Sequence, residues 1–379
     1  MKNLFLVAVL ILLVQTAHAQ EKRGRAREFG ITIGVMQPGA RNMITDVSGV
    51  KVGQVTKVEG ASIRTGVTVI LPHAGNLFQD KVPAAVFVGN GFGKLVGTTQ
   101  VQELGNLETP IALTNTLSVP AVMEALVRYT LQQPGNEKVQ SVNAVTGETN
   151  DGWLNDIRGM HVRDEDVLQA IAQASDGVVA EGCVGAGTGT MCLGFKGGIG
   201  TSSRKLPKGA GGYTVGVLVQ SNFGGVLQID GVPVGEELGR YYMSNLLNEK
   251  ADGSCMIIVA TDAPLDARNL RRLAERAFMG LAKTGGIAAN GSGDYVIAFS
   301  TSLSVRIAYE SKDLIYSSTQ LSNDAMSPLF MAAIEATEEA IINSLFQATS
   351  MEGKEGHKAE ALPIEKVLDI MRKHNALKK

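Results

Sequence analysis

A glycine and a serine at positions 253 and 254 stand immediately before the apolar run 255–260. A serine hydroxyl can attack the preceding peptide carbonyl and displace its own nitrogen, and glycine allows strained backbone conformations closed to other residues. The product is an N-terminal serine, whose α-amino group, with an unperturbed pKa near ~7.7, can accept the hydroxyl proton. Gly253-Ser254 therefore predicts a self-cleavage site and a serine nucleophile that needs no histidine. Taken alone, the dipeptide is more typical of a loop that leads into a strand.

A second polar cluster, Asn-Gly-Ser-Gly-Asp at residues 290–294, directly precedes the apolar run 295–299. Its glycines let the backbone come close to its neighbours, so that Ser292 and Asp294 can point at a common spot and position a proton. The same composition is typical of a solvated turn. This cluster is informative only in combination with Ser254.

Two further polar residues are candidates for binding a substrate. Asn222 follows the apolar run 213–219, where its amide can donate to a developing oxyanion, a contact worth roughly 3 kcal/mol. Glu148 lies in the polar stretch 147–156, and a carboxylate in a closed pocket can hold a free ammonium group. The plainer interpretations are a turn residue at a strand end for Asn222 and a surface acid on a loop for Glu148.

These motifs occur together with Val-Gln-Ser-Asn-Phe-Gly at residues 219–224 and Thr-Asp-Ala-Pro-Leu at residues 261–265. The combination resembles the self-processing aminopeptidase family that includes L-aminopeptidase/D-esterase/amidases and β-peptidyl aminopeptidases. The likeness runs from about residue 39 to about residue 349.

The resemblance implies a role for each of the site residues. Ser254 would begin the smaller of two chains, and Ser292 would hydrogen-bond its amine or hydroxyl. Asp294 would orient Ser292 and stabilise positive charge, although several relatives carry glutamate there. Asn222 would donate to the oxyanion, and Glu148 would hold the substrate ammonium. Position 150 is an asparagine where some relatives have a tyrosine that contacts the substrate carbonyl, so no catalytic role is carried over to it.

Short apolar runs bounded by Gly, Pro or Asn predict strands, and apolar residues at helical spacing predict helices, without strict βαβ alternation. This pattern indicates a layered α/β architecture. The resemblance implies an αββα sandwich, with two stacked β-sheets between helix layers, as in the aminopeptidase/ornithine acetyltransferase fold. The predicted strands are 67–71, 84–88, 213–219, 255–260 and 295–299, and the predicted helices are 120–131, 162–174, 264–283, 328–346 and one beginning at Pro363.

The predicted cut divides one catalytic domain into a large chain, residues 20–253, and a small chain, residues 254–379. The pieces of 234 and 126 residues would stay together because the strand that begins at Cys255 is buried among strands of the large chain. The polar stretch 247–253 would move away after cleavage to open the pocket, and we expect it to be mobile. The resemblance also suggests a homotetramer of such two-chain protomers.

The first nineteen residues predict a secretory signal peptide. They contain Lys2, an apolar core of eleven residues at 4–14, and the small residues Ala17 and Ala19 at a cleavage point. The apolar core is well short of the ~20 residues that span a bilayer. We therefore expect an exported protein, periplasmic or secreted, that is soluble after removal of residues 1–19.

Composition argues against several classes of partner. Without residues 1–19 the chain has 34 basic and 37 acidic residues, which gives no electrostatic reason to expect nucleic acid or an anionic membrane. The glycine-rich stretches 89–94 and 185–189 lack the spacing of phosphate-binding loops, and we interpret them as tight loops near the substrate, with Phe92 and Leu117 as pocket walls. The histidines and carboxylates show no metal-ligand spacing, so we expect neither a metal nor a cofactor.

The remaining residues with distinctive chemistry are interpreted structurally. Cys183, Cys192 and Cys255 are an odd, sparse set, interpreted as small buried apolar residues, and a Cys183–Cys192 disulfide stays open. Trp153, the only tryptophan of the chain, fits a core position better than the pocket wall.

The sequence thus predicts an N-terminal-nucleophile serine aminopeptidase that releases residues from short peptides, amino-acid amides or β-peptides through an acyl-enzyme. One alternative is an acyltransferase of the ornithine acetyltransferase type, which would begin its smaller chain with threonine. The other is an uncleaved secreted binding protein. Side-chain preference, chirality and the α or β backbone of the substrate are not decided by the sequence.

Overall fold

The computed structural model describes residues 22–244, 253–311 and 313–377. The predicted signal peptide at 1–19 lies outside the described residues. The same holds for residues 247–252, the greater part of the stretch that we expect to leave after cleavage.

The strands and helices alternate irregularly along the chain. The strands are β1 (Lys51–Glu59), β2 (Ile63–Leu71), β3 (Asp80–Gly91), β4 (Asn106–Leu107), β5 (Ile111–Asn115), β6 (Val145–Thr149), β7 (Met191–Cys192), β8 (Phe195–Lys196), β9 (Gly198–Lys205), β10 (Thr214–Asn222), β11 (Ser254–Thr261), β12 (Gly293–Ser300), β13 (Ile307–Ala308), β14 (Met351–Glu352) and β15 (Lys358–Ala359). The helices are α1 (Thr98–Leu104), α2 (Val119–Leu131), α3 (Asp164–Gln173), α4 (Val234–Glu237), α5 (Ala267–Lys283), α6 (Ser327–Gln347) and α7 (Ile364–Lys373).

Two sheets carry the fold. The smaller has the strand order β1-β2-β5-β6, and the larger has the order β13-β3-β12-β11-β10-β9, with β4 paired to β3. In the larger sheet β11 runs antiparallel to β10 and parallel to β12, and β12 runs antiparallel to β3. The sheet is therefore mixed.

Three apolar cores separate four layers. One lies between α2–α3 and the outer face of the smaller sheet. A second lies between the sheets, with Met256 and Ile258 of β11 among its members. The third joins the other face of the larger sheet to α5 and α6, and it includes Cys255 and Ile257 of the same strand. Because successive strand residues point to opposite faces, β11 contributes to two cores at once. The αββα sandwich is confirmed.

The central strands explain why the two predicted pieces would hold together. Every residue of β10, β11 and β12 is buried, as expected for strands covered on both faces. Strands β11 and β12 follow the predicted cut, and they are flanked by β3 and β10, which precede it. Hydrogen bonding and packing thus continue across the predicted cut.

The predicted helices are present with shifted ends. Helix α5 begins at Ala267, not Pro264, because the Asp266 side chain accepts a hydrogen bond from Asn269 N and caps it. Helix α6 begins at Ser327, one residue before the predicted start. Helix α7 begins at Ile364, one residue after the predicted start, and packs its apolar stripe on the core.

Helix α6 carries buried carboxylates that are paired. Arg204 of β9, fully buried, contacts Glu335 at 3.0 Å and Glu339 at 2.8 Å, and Arg27 donates to Glu339 at 2.7 Å. Burial alone would raise the pKa of Glu339, but Arg27 and Arg204 hold it below its ordinary value. This ion network attaches α6 to the large sheet.

The three cysteines are free thiols, so the Cys183–Cys192 disulfide is not formed. Cys192 and Cys255 are buried, and burial raises the pKa of Cys192 to about 12, whereas Cys183 is partly exposed. In the described part of the chain, no helix combines the length and hydropathy that crossing a bilayer requires.

Candidate active site

A cavity of about 380 Å³ opens where the strand ends of the two sheets meet. Its size is within the range of about 300–1,000 Å³ that is usual for small-molecule sites. Three of the residues singled out from the sequence line it together: Ser254 at the start of β11, Asn222 at the end of β10 and Glu148 in β6. The other lining residues are Phe92, Gly93, Lys94, Thr116, Asn150, Trp153, Gly189, Met191, Gly253 and Gly291.

Ser254 is buried at the floor of this cavity and is held against the preceding peptide bond. Its hydroxyl donates to the Gly253 carbonyl oxygen at 2.5 Å. Gly293 is the residue of β12 that pairs with Ser254. Its backbone N donates to the same carbonyl oxygen at 3.2 Å and lies 3.3 Å from the Ser254 Oγ. The carbonyl that precedes the nucleophile is thus polarised by two donors.

Gly253 is required for space, not for an unusual dihedral angle. Its φ is not positive. A Cβ at this position would lie 2.3 Å from the Asn222 carbonyl oxygen and 2.6 Å from the Phe223 Cα, both rigid backbone atoms. The expectation of a strained backbone is therefore wrong in its reason, and close packing against β10 explains the glycine.

Asn222 lies directly opposite Ser254 in the antiparallel pair β10–β11. Its side-chain oxygen accepts from Met191 N at 2.8 Å, and its Nδ2 donates to the Asn150 carbonyl at 3.1 Å. An amide nitrogen carries two hydrogens, so the second stays available to an oxygen atom in the cavity. Asn222 is therefore the last residue of a strand with its amide fixed, not a turn residue.

Glu148 is buried in a strand, so the surface-acid interpretation is wrong. Lys94 N donates to one carboxylate oxygen at 2.8 Å, and the Thr116 hydroxyl donates to the other. A Cβ on Gly93 would lie 3.0 Å from the first oxygen, which shows how closely this loop approaches. No ion pair to Glu148 occurs among residues 22–244, 253–311 and 313–377. A cationic group from outside can therefore be its counterion.

Ser292 and Asp294 are fully buried beside the site but do not line the cavity. Strand alternation places Asp294 with Val296 on the helix-facing side of β12, whereas Ser254 shares the intersheet side with Met256. The Ser292 hydroxyl and both Asp294 oxygens have no hydrogen bond of normal geometry to the described residues. Burial raises the pKa of Asp294 to about 6, against smaller opposing effects of the Ser292 hydroxyl and the Cys255 N–H.

Asn90 positions the loop before β12 and was missed by sequence reasoning. Its Nδ2 donates to the Ser292 carbonyl at 2.5 Å and to the Ala289 carbonyl at 2.8 Å. The register of β3 against β12 shifts between Asp294 and Tyr295, and the Tyr295 hydroxyl donates to the Gly93 carbonyl at 2.8 Å. The glycines around Asn90 were the available signal, since they mark an irregular strand end.

The cavity walls differ from those predicted. Phe92 lines the cavity, but Leu117 does not, and its neighbour Thr116 does. Trp153 is half-exposed at the wall and stacks on His357 with ring centroids 3.8 Å apart, so the predicted core position is wrong.

The turn that carries Asn150 depends on a buried acid. Asp151 is buried, and its carboxylate accepts from Asn155 Nδ2 at 3.0 Å. Burial raises the pKa of Asp151 to about 7. Asp151 directly follows Asn150, whose backbone carbonyl accepts the hydrogen bond from Asn222. Among the described residues no group of three or more potential ligands could hold a metal ion.

Comparisons with known proteins identify the family of this chain. The family model described as Peptidase family S58 matches residues 42–359. The chain is 38% identical to the β-peptidyl aminopeptidase BapA of Sphingosinicella microcystinivorans over 393 aligned residues, which cover 98% of this chain and 97% of that protein.

Solved structures show the same architecture. A β-aminopeptidase from Burkholderia sp. is 44% identical with a TM-score of 0.85, and the match covers 92% of this chain and 99% of that one. The L-aminopeptidase D-Ala-esterase/amidase of Ochrobactrum anthropi is 33% identical with a TM-score of 0.86, covering 93% and 99%; it is described as a prototype for the serine aminopeptidases and a variant of the N-terminal-nucleophile hydrolase fold. The chain therefore belongs to Peptidase family S58 and is a serine-type aminopeptidase with an N-terminal-nucleophile hydrolase fold.

Proposed function

We propose that the chain cuts its own Gly253–Ser254 bond and then releases amino-terminal residues from short peptides, amino-acid amides or β-peptides. The observation that carries this proposal is the 2.5 Å contact between the Ser254 hydroxyl and the Gly253 carbonyl oxygen. It holds the nucleophile beside the bond that has to break, and reacting groups held in place in this way need no further ordering.

The self-cleavage follows from this contact. The Ser254 oxygen attacks the Gly253 carbonyl carbon, and the Gly293 N–H that donates to the carbonyl oxygen stabilises the negative charge formed there. The carbon–nitrogen bond then breaks, the hydroxyl proton passes to the departing nitrogen, and an ester links Gly253 to Ser254. Water hydrolyses this ester, which leaves a carboxylate on Gly253 and a free amine on Ser254.

The liberated amine explains the unpartnered polar groups beside it. Ser292 and Asp294 are buried without normal hydrogen bonds while Gly253 is still attached. A new ammonium at Ser254 would give Asp294 an opposite charge and favour its ionised form. In the cut enzyme the neutral amine takes the proton of its own hydroxyl, Ser292 positions that proton, and Asp294 stabilises the charge.

Two residues bind the substrate, one at its ammonium group and one at its reacting carbonyl. Glu148 holds the free ammonium, which makes the site selective for a chain end. The free hydrogen of the Asn222 amide donates to the carbonyl oxygen during attack by Ser254. The acyl group is transferred to Ser254, the remaining peptide leaves as an amine, and water releases the acyl group. The likeness to β-peptidyl aminopeptidases supports β-peptides as one substrate class.

The test is replacement of the nucleophile. Wild-type protein should appear in denaturing electrophoresis as two pieces, with an intact mass that places the break between residues 253 and 254. Ser254→Ala should give one chain without activity on amino-acid amides. Ser300→Ala, which removes a buried serine at the far end of the neighbouring strand, should still be cut. An active, uncut wild-type chain would refute the proposal.

We also propose that protomers associate as a homotetramer. Leu314, Ile315 and Tyr316 form a run of largely exposed apolar side chains, and Leu303 is exposed as well. Exposed apolar patches commonly mark interfaces. Light scattering after size exclusion should give about four protomer masses, and Leu314→Ser with Ile315→Ser should lower that mass if this run lies in the interface.

Export is proposed from residues 1–19 alone. Expression of the full chain should place activity outside the cytoplasm, and deletion of these residues should retain it inside. A processed protein whose first residue is Gln20 would support the cleavage point.

A further inference from the structure

The cavity is lined by two charged side chains of opposite sign, one buried and one exposed. Among the described residues that line it, Glu148 is the one acid and Lys94 the one base. Glu148 is buried, whereas Lys94 is exposed and lies over the exposed ring of Phe92. The cavity therefore has a carboxylate at its floor and an ammonium group at its mouth.

The Lys94 ammonium group has no carboxylate partner within the described ranges. It lies 5.2 Å from the centre of the Phe92 ring and contacts no acid within ion-pair distance there. A cation on an aromatic face keeps its charge and can still bind an anion. The backbone of the same residue is fixed, because Lys94 N donates to Glu148 and the Tyr295 hydroxyl holds the neighbouring Gly93 carbonyl.

We propose that Lys94 binds the free carboxylate of the leaving portion of the substrate, so that the enzyme prefers short peptides with an unblocked carboxyl end over their amides. This inference rests on the proposed aminopeptidase function and adds to it a substrate class. A short peptide is a zwitterion, with its ammonium against Glu148 and its scissile carbonyl at Ser254. Its departing part extends toward the open mouth, where Lys94 lies.

The position of Lys94 also predicts which kinetic constant responds. The carboxylate is remote from the reacting carbonyl, so its contact is made equally in the bound substrate and in the transition state. Removal of such a contact raises KM and changes kcat little. Since Lys94 is exposed, the pair is screened by solvent, and we expect a change of up to about fivefold.

The experiment compares β-alanyl-L-alanine with its C-terminal amide, and the corresponding L-alanyl pair, in wild type and in Lys94→Met. In wild type the free acids should have the higher kcat/KM, and this acid-to-amide ratio should fall toward one in Lys94→Met through KM. Lys94→Arg should keep the ratio, and Lys94→Glu should favour the amides. Lys138→Met, at an exposed lysine outside the cavity, should behave as wild type.

Raised salt should lower the acid-to-amide ratio of wild type and leave that of Lys94→Met unchanged, because only the former contains the ion pair. An acid-to-amide ratio that is the same in wild type and Lys94→Met would overturn the Lys94 proposal while leaving the aminopeptidase proposal intact. Failure of wild type to cleave either pair would instead refute the aminopeptidase proposal, and the subsite with it.

Discussion

Two regions of this protein bury carboxylates in the same way but surround them differently. On helix α6, Glu335 and Glu339 are matched by Arg204 and Arg27, with contacts of 2.7–3.0 Å. Beside the active site, Asp294 is equally buried but lacks a cation and a normal hydrogen bond among the described residues. The first arrangement is complete in the uncut chain, and the second is not.

The presence or absence of a counterion separates carboxylates that stabilise the fold from one that gains its counterion only after the proposed cleavage. A buried charge without a counterion is destabilising, and proteins keep one where function requires it. The pKa values follow the same division: the pKa of Glu339 is lowered by its arginines, whereas burial raises that of Asp294 to about 6. We expect substitutions in the two regions to change different properties.

The largest effect is expected for Asp294→Asn. Hydrolysis should fall roughly 10²–10⁴-fold, because the charge on the Ser254 amine loses its stabiliser. In the Ser254→Ala background, the free energy of unfolding should not decrease, since an amide removes an unpaired buried charge. Aminopeptidase rates and urea unfolding measure the two outcomes, and Asp294→Glu should retain activity. A loss of stability without a loss of activity would reverse the comparison.

The complementary substitution is Arg204→Met. It leaves the buried Glu335 without its cation and Glu339 with Arg27 alone, which should destabilise the chain by about 3–5 kcal/mol. Urea unfolding of the uncut Ser254→Ala chain is the measurement. The control is Arg240→Met, which breaks the exposed pair with Glu360 and should cost about 0–1 kcal/mol. Equal losses in the two variants would contradict the structural role of the α6 network.

Strand β10 offers the same contrast between neighbouring amides. Asn222→Ala should lower kcat roughly 10²–10³-fold, because the donor to the oxyanion is lost. The amide nitrogen of Gln220, two residues earlier, carries two hydrogens and lies within 3.0 Å of Thr114 O, Ala186 O and the Thr149 hydroxyl inside the core. Gln220→Leu should therefore lower the free energy of unfolding more than it lowers kcat. Steady-state kinetics beside thermal unfolding would show whether the two amides divide in this way.

The two carboxylates should have opposite effects on the pH dependence of stability. The folded pKa of Asp294, about 6, is above its ordinary value of 3.8, so between these values the native state binds more protons. The contribution of Asp294 to the free energy of unfolding therefore decreases by up to about 3 kcal/mol as pH rises from about 4 to about 6. The lowered pKa of Glu339 means that its contribution is present above its ordinary pKa of 4.5 and lost at lower pH.

The measurement is unfolding at several pH values in the Ser254→Ala chain, with and without Asp294→Asn or Glu339→Gln. Asp294→Asn should reduce the decrease in the free energy of unfolding between pH 4 and pH 6. Glu339→Gln should reduce the loss of unfolding free energy at lower pH. Curves that shift in the same direction would show that the two sites are not distinct.

Glu148 is an intermediate case, and its effect should be the smallest. It is buried with neutral partners, the Lys94 N–H and the Thr116 hydroxyl. Thr116→Val should raise KM about tenfold with little change in kcat, because a hydrogen bond that orients the carboxylate is lost. Thr146→Val is a matched control, since the buried Thr146 hydroxyl has no partner to lose. Similar KM values in both variants would exclude this role for Thr116.

Much of the fold could be predicted because it depends on local pattern. The runs that became β11 and β12 are continuously apolar, and α5 repeats leucines at helical spacing, so their types follow from periodicity. The motif residues Ser254, Asn222 and Glu148 could be chosen because their motifs occur together in one chain and resemble a known family, although each motif taken alone fits a plain structural role. Their meeting at one cavity follows from topology.

The rest could not be predicted because it depends on partners distant in the chain. Trp153 lies on the surface because His357, 204 residues later, stacks on it. The reason for Gly253 is the backbone of Asn222, which a sequence does not place. Lys94 and Thr116 belong to the site through single hydrogen bonds to Glu148, and no spacing rule connects residues 94, 116 and 148.

The interior position of β11 has a consequence for how the enzyme can be produced. A gene divided at codon 254 would make two polypeptides that each lack the neighbours of their central strands, so that the edges of β3 and β10 would be bare and prone to aggregate. Co-expression of the two segments should therefore yield far less assembled protein than a single reading frame. Synthesis as one continuous precursor supplies the template on which both segments fold.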